Sequence, residues 1–422
     1  MKKIIDIMSH PPNYKAYENE PRPKVNWDIP DNSWVGIWGY DGANLIANAV
    51  KKISDSVEYE IWQPDLRADK IYAHRFESGV VHKLIPAYSK KLFEGLKLTE
   101  TIYSQMIIDE LNGLISKRND LVLVIDGAPS EFNINLYYNF YKKIPILNLF
   151  SGDPGLFFNN NYLSKNFLKK IHNKIITSKR NRYFSRINNA MVGNIPSSIN
   201  LLTKRFNINV YTNLMGVDFN FWSIDKSKCE ARKFLNIPEK PFIIFSSSRL
   251  NKLKQVDKLV EVLAKLKEYD FICYISGLGY KDFEEYLVKL IDQNGLNDKI
   301  HLLGFIDDET LKNYYLAADL FVTLSQAEGG PVSAWKAMAL EIPVFTTNTG
   351  NVIEVFKQFN AGLIVDVFNY KEWEFRLKEV LEGNKVNVIP RSEVEELASW
   401  KNVARCYLNI YTDIYQKFYR RN

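Results

Sequence analysis

The segment from Ala317 to Gly350, AADLFVTLSQAEGGPVSAWKAMALEIPVFTTNTG, constrains the fold of this chain more than any other. It reads as a strand, a tight glycine turn, a helix, a second strand and a second glycine loop. Residues 320–324 are a short apolar, β-prone run. Glu328-Gly329-Gly330-Pro331 ends that strand and opens a helix. Pro331 suits the first helical turn, where its missing N–H costs nothing. Gly329 and Gly330 let the backbone approach a ligand closely, and free N–H groups at a helix start attract anions. Glu328 places one carboxylate at the mouth of that turn. A phosphate cradle beside a lone acid suits a sugar nucleotide, which carries a diphosphate and sugar hydroxyls. An ordinary βαβ turn uses the same residue types.

The rest of the C-terminal half repeats the rhythm. Ser246-Ser247-Ser248-Arg249-Leu250 follows the apolar strand 242–245, and Lys254 lies five residues after Arg249. A small-residue turn with two cations at a helix entrance can hold a diphosphate. Arginine gives a fork of donors and lysine a mobile point charge. A strand at 271–275 ends in Gly277-Leu278-Gly279, and a strand at 299–303 ends at Gly304-Phe305. Strand, turn and helix in alternation predict an α/β fold with a doubly wound parallel sheet. Its ligands sit at the carboxyl ends of the strands, where these motifs lie.

The order Arg249…Lys254, Gly277-Leu278-Gly279, Gly304-Phe305, Ala318-Asp319-Leu320, Glu328-Gly329-Gly330-Pro331 and Pro343-Val344…Gly350 resembles glycosyltransferase family four. The resemblance covers residues 210–400 well and is thinner upstream. There Asn213-Leu214-Met215-Gly216-Val217-Asp218 is similar to the family's NGVD segment, and Gly39-Tyr40-Asp41-Gly42 to its early glycine-rich loop. The resemblance implies the GT-B fold, two facing Rossmann-like domains, and a retaining glycosyltransferase that uses no metal and no cofactor. It implies a nucleoside-diphosphate sugar donor and a glycan or lipid-linked acceptor.

Two positions depart from the family pattern. The family carries Glu, seven residues, then Glu; here the first is Glu328 and the second position holds Lys336. The second glutamate accepts from ribose hydroxyls, and an ammonium has donors only. In the first domain, many members place a histidine near the donor sugar. The matching stretch, residues 146–154, offers Asp153 and no histidine. Asp153 fits either a catalytic role or the cap of the following helix or turn.

The resemblance therefore assigns the diphosphate to Arg249 and Lys254. Gly329 and Gly330 would supply N–H groups, and Glu328 would hold sugar hydroxyls and favour the oxocarbenium-like charge. Gly304, Phe305, Pro331 and Lys336 join the nucleotide-sugar site, and the acceptor lies near Gly39–Gly42 and Asp153.

At 422 residues the chain is too long for one ordinary domain and suits two. The expected division is residues 1–217 as an acceptor-binding domain and 218–400 as a nucleotide-sugar-binding domain. Residues 401–422 form a helix that, by resemblance, packs back on the first domain. Upstream strand candidates are 3–8, 34–38, 59–62, 80–85, 121–125, 144–150, 190–193 and 209–211, with a helix at 43–53. Proline-bearing residues 9–33 read as a long loop.

Three cysteines, Cys229, Cys273 and Cys406, are far apart and lack CxxC spacing, which favours a reducing compartment and a cytoplasmic location. No 18-residue apolar run occurs, and Met1-Lys2-Lys3 leads into a strand rather than a signal peptide. His10, His74, His82, His172 and His301 show no metal-ligand spacing, and no Asp-x-Asp occurs. No Gly-x-Ser-x-Gly elbow is present, and Gly277-Leu278-Gly279 lacks the third glycine of a dinucleotide fingerprint.

The net charge is +6, and from Lys165 to Arg186 eight cations occur without an acid. Phe167, Leu168, Ile171 and Ile175 sit among them at helical spacing. This suits either a peripheral contact with anionic lipid at the inner face of the membrane, or a solvated basic helix packed by its apolar stripe. No nucleic-acid module accompanies the patch. Lys336 keeps a second class of function open: a GT-B protein without turnover, serving as a binding subunit.

Overall fold

The computed structural model describes residues 1–8, 42–94, 97–127, 130–150, 178, 181–192, 199–212 and 215–421. The chain divides into two compact units. Met1–Met215 and Trp400–Asn422 form the first, and Gly216–Ser399 forms the second.

The first unit contains β1 (Lys3–Met8), α1 (Gly42–Ile53), β2 (Glu58–Asp65), β3 (Tyr72–Arg75), β4 (Val81–Pro86), β5 (Tyr88–Glu94) and β6 (Lys97–Tyr103). It continues through α2 (Gln105–Ile115), β7 (Leu121–Asp126), α3 (Glu131–Phe140), β8 (Ile146–Phe150), β9 (Asn189–Val192) and β10 (Asn209–Thr212). Its sheet has the order β10-β9-β8-β7-β1-β2-β4-β3. Neighbours pair in parallel except β3, which is antiparallel to β4. The inner strands are continuous apolar runs because helices cover both faces of a parallel sheet. β1 (KIIDIM) is buried along its whole length. Serine caps start two helices: Ser104 accepts from Ile107 N at 3.3 Å, and Ser130 from Asn133 N at 3.1 Å. β5 and β6 form a separate antiparallel ribbon.

The second unit contains α4 (Lys228–Phe234), β11 (Phe242–Ser247), α5 (Val256–Ala264), β12 (Phe271–Ser276), α6 (Lys281–Gln293), β13 (Ile300–Gly304) and α7 (Asp308–Ala317). Next come β14 (Leu320–Thr323), α8 (Val332–Ala339), β15 (Val344–Thr347), α9 (Val352–Phe359), β16 (Leu363–Val365), α10 (Tyr370–Leu381) and α11 (Arg391–Ala398). The sheet is parallel throughout, in the order β13-β12-β11-β14-β15-β16. This is the doubly wound order expected from the strand–helix alternation. One apolar cluster fills each face. Leu259, Leu263, Leu287 and Trp373 lie on one side, and Tyr315, Phe321, Trp335 and Phe356 on the other. Strand order reverses between β11 and β14, which makes the carboxyl ends of these two strands the natural ligand crevice.

The last helix, α12 (Trp400–Arg421), belongs to the first unit and packs on α1. Val403, Ala404, Tyr407, Tyr411 and Ile414 recur at helical spacing, and all are buried with Ile46 and Val50 of α1. Each fully buried large side chain contributes about 1.5–3 kcal/mol. Two polar contacts fix the register: the Tyr59 and Tyr411 hydroxyls lie 3.1 Å apart, and the Tyr211 hydroxyl donates to Asp413 at 2.6 Å. Among the described residues no helix is long and apolar enough to cross a membrane.

Candidate active site

The crevice of the second unit is built from two loops. The first follows β11. Ser246 is buried, Arg249 is exposed, and Lys252–Lys254 form a single 3₁₀ turn. Asn251 caps that turn, its side-chain oxygen accepting from Lys254 N at 3.2 Å. The Arg249 loop lies tightly against the next one. Ser248 N donates to Ser276 O at 3.1 Å and Leu250 N to Leu278 O at 2.8 Å. Gly277 permits this approach: its φ is +137°, and a Cβ there would stand 1.8 Å from Ser248 O. The Gly277-Leu278-Gly279 motif thus seats the Arg249 loop.

The second loop follows β14 and carries Glu328, Gly329 and Gly330. The Glu328 carboxylate pairs directly with the Lys254 ammonium, and both side chains are largely buried, at 15% and 18% exposure. Ser325 Oγ donates to the same carboxylate oxygen at 2.6 Å. Ser325 is held in turn, because Thr347 Oγ1 donates to its carbonyl at 2.6 Å. Gln326 N donates to Leu253 O at 2.8 Å, tying the two loops together. The glycine pair is braced from behind by Asn351. Its N–H donates to Gly329 O at 3.1 Å, and its side-chain oxygen accepts from Trp335 Nε1 at 3.0 Å. Gly350 lets that brace come close: φ is +84°, and a Cβ would meet Pro331 Cδ at 2.7 Å.

Among the described residues, the N–H groups of Gly329 and Gly330 donate to no other group, and Arg249 makes no ion pair. The arrangement therefore offers two unused backbone donors, an unpaired guanidinium and an ammonium with donors to spare around one carboxylate. Such a set suits an anion flanked by hydroxyls. Pro331 sits one position earlier than expected. It is the cap before α8, and its carbonyl accepts from Ala334 N at 3.0 Å and Trp335 N at 3.2 Å.

Lys336 lies on α8 with its ammonium 4.1 Å from the centroid of the Trp222 ring. Burial pulls this ammonium below the ordinary lysine range, while Asp308 acts in the opposite direction. No carboxylate among the described residues pairs with it. Gly304, with φ +63°, and Phe305 close the edge strand β13, where Gly304 O accepts from Gly277 N at 2.9 Å. Gly42 is the first residue of α1 in the first unit. Gly39 and Asp153 lie outside the described residues, as does most of the basic run. Of that run Arg182 and Arg186 are described, and the Arg186 guanidinium lies over the Tyr138 ring.

Asp319, part of a matching motif, is bound up in the scaffold. It pairs with Arg232 at 2.5 Å and Lys228 at 2.6 Å, and accepts from Ile243 N at 2.7 Å. Ser325, Gln326, Thr347, Asn351 and Trp222 were not singled out by the sequence. Their part in the site depends on the close approach of separate strands and loops, which a linear motif does not carry.

Residues 227–397 match the model of the family "Glycosyl transferases group 1". An uncharacterized glycosyltransferase of Methanocaldococcus jannaschii is 28% identical over 209 residues, 46% of this chain and 51% of that protein. The O-antigen biosynthesis glycosyltransferase WclY of Escherichia coli is 26% identical over 162 residues, 37% of this chain and 44% of that protein. The chain thus spans about half the length of the curated relatives it matches. Among solved structures, sucrose-phosphate synthase of Thermosynechococcus elongatus aligns over 99% of this chain and 100% of its own, with a TM-score of 0.69 at 14% identity. Alr3699/HepE of Anabaena, solved with UDP and glucose, aligns over 98% of this chain and 100% of its own, with a TM-score of 0.61 at 11% identity. The fold is GT-B, and residues 227–397 are similar to the group 1 glycosyl transferases.

Proposed function

We propose that the protein is a retaining, metal-independent glycosyltransferase that moves a sugar from a nucleoside-diphosphate sugar to a hydroxyl of a glycan or lipid-linked acceptor. The observation that carries this reading is the Lys254–Glu328 pair at the β11–β14 switch point, flanked by Arg249 and the unused N–H groups of Gly329 and Gly330. A diphosphate needs cations and N–H donors, and a sugar needs a fixed acceptor for its hydroxyls; the crevice supplies both. HepE, with the same fold, was solved with UDP and glucose, which supports a nucleotide sugar as donor.

In this reading Arg249 and Lys254 neutralise the leaving diphosphate. The ammonium has three donors, so it can keep Glu328 and still serve a phosphate oxygen. Glu328, oriented by Ser325, accepts from sugar hydroxyls and stabilises the positive charge that develops on the ring. The bond from the anomeric carbon to the phosphate oxygen breaks. The acceptor oxygen bonds to the same face, and its proton passes to the departing phosphate. The acceptor docks on the first unit near Gly39–Gly42 and Asp153. The protein works at the cytoplasmic side of the membrane in cell-surface polysaccharide synthesis, touching lipid through the run from Lys165 to Arg186. The O-antigen relative supports that setting.

A sugar-transfer assay over UDP-, GDP- and ADP-sugars tests the proposal. Release of nucleoside diphosphate from one of them, with the anomeric configuration kept in the earliest product seen by NMR, is the expected result. Lys336 over Trp222 favours one second reading, a subunit that binds without turnover. Nucleotide binding with no transfer to any acceptor would support it.

A further inference from the structure

A second cavity opens on the helical face of the second unit, with a volume of about 690 Å³. It is lined by Lys252 and Gln326, one from each of the two crevice loops, and by the starts of α5, α6 and α10. None of the residues assigned above to donor or acceptor lines it.

Two of its lining side chains carry an unsatisfied acceptor. Gln255 is 1% exposed and Asp257 9% exposed, and neither Gln255 Oε1 nor Asp257 Oδ1 receives a hydrogen bond. The Gln255 amide is oriented, because its nitrogen donates to the Tyr370 hydroxyl at 3.1 Å. Gln255 also adopts a left-handed backbone, φ +52°, uncommon for a residue of this kind and concentrated at functional positions. Buried acceptors without donors cost stability unless something fills the site. Burial also holds the Asp257 carboxyl above its usual range.

The rim is aromatic. Tyr280 is 82% exposed and Tyr286 42% exposed, an unusual exposure for rings of this size. Tyr370 adds a third ring. Flat faces beside acceptors that lack donors suit a saccharide, whose C–H faces stack on rings and whose hydroxyls donate, directly or through water. Lys252, Lys258 and Asp282 add polar partners for such hydroxyls.

We propose that this cavity is a saccharide-binding subsite, separate from the nucleotide-sugar crevice, that holds a neutral sugar unit against Tyr280 and Tyr286. It sits beside the catalytic loops in the chain, since Gln255 follows Lys254 and Gln326 lies two residues before Glu328. That placement suits an inner unit of the glycan. The inference concerns binding, and it stands or falls apart from transfer activity.

The test uses the full-length protein, with no donor present, on an array of neutral hexose and N-acetylhexosamine oligosaccharides. Retention of at least one of them is expected. Tyr280→Ala should weaken it about tenfold, the worth of a lost ring stack. Saturating UDP should leave it unchanged. Tyr280 is on the surface, so the variant folds; Tyr286→Ala gives an independent check. Three results overturn the proposal: retention of no oligosaccharide, retention by both variants equal to that of the wild type, or displacement by UDP, which would make the cavity part of the donor site. Saccharide retention in a protein that transfers no sugar would leave this subsite standing while the proposed function fell.

Discussion

The Lys336 ammonium lies 4.1 Å above the Trp222 ring, at the position where the family pattern carries a glutamate. An aromatic face takes a cation and gains nothing from a carboxylate. The lysine and the tryptophan therefore answer each other, and Lys336 has a structural partner in this chain. Burial depresses its pKa, so folding works against its charge below that folded value. This cost fades as pH rises toward 10.5, the ordinary lysine value, because the unfolded chain then also sheds the proton. Lys336→Glu should raise nucleoside-diphosphate affinity about tenfold by restoring an acceptor for ribose hydroxyls. Calorimetry on both proteins checks this; unchanged or weaker binding means the ribose is held some other way.

Losing Lys254 should do two things. Transfer should slow by about 10²–10³, as when a charge-stabilising donor is removed. Stability should fall by about 1–3 kcal/mol, because Glu328 is left largely buried with Ser325 as its remaining described donor. The double variant Lys254→Met with Glu328→Gln should recover much of the stability and none of the activity. Denaturant unfolding beside a rate assay separates the two effects.

Asp319 serves the scaffold of the second unit. It anchors Arg232, whose guanidinium also donates to Ala317 O at 3.0 Å and Glu239 O at 2.6 Å and is almost wholly buried. Asp319→Ala leaves that guanidinium buried without its counter-charge and should cost about 3–5 kcal/mol. A loss below about 1 kcal/mol in urea unfolding would contradict this, as surface pairs rarely exceed that figure.

His82, on β4, is fully enclosed with Asn44 and Gln63 beside its ring nitrogens, at 3.3 and 3.2 Å. Burial, and to a smaller degree His74, pull its pKa from 6.5 down to about 3. The unfolded chain then binds a proton below pH 6.5 that the folded chain refuses. Stability should be intact above pH 6.5 and fall by about 1.4 kcal/mol per unit as pH drops toward 3. His82→Gln should remove that share of the acid sensitivity. Unfolding free energies measured at pH 7, 6 and 5 give the slopes; parallel slopes for the two proteins would show that His82 takes no part.

Five strands of the second unit were legible because each is a short apolar run closed by a glycine or serine turn, as at Phe242–Ser247 and Leu320–Thr323; the three-residue β16, Leu363–Val365, was not. The β5–β6 ribbon was not, because YSKKLFE and KLTETIY are rich in charge, and their pairing comes from cross-strand partners rather than from an apolar pattern. The sequence named Arg249, Lys254, Glu328 and the glycine pair, whose spacing is local. It was silent on Ser325, Thr347 and Asn351, which reach the loops only once β14 and β15 lie side by side. It also passed over Trp222, so Lys336 read as a substitution without a reason.

In the proposed reaction Arg249 and Lys254 receive a diphosphate beside Glu328. The most direct test is calorimetric titration of UDP, GDP and ADP into the wild-type protein and Arg249→Ala. One nucleotide should bind the wild type and bind the folded variant at least about tenfold more weakly, in keeping with the loss of a charge-assisted contact. Equal binding to both proteins, or no binding of any of the three to the wild type, would contradict it.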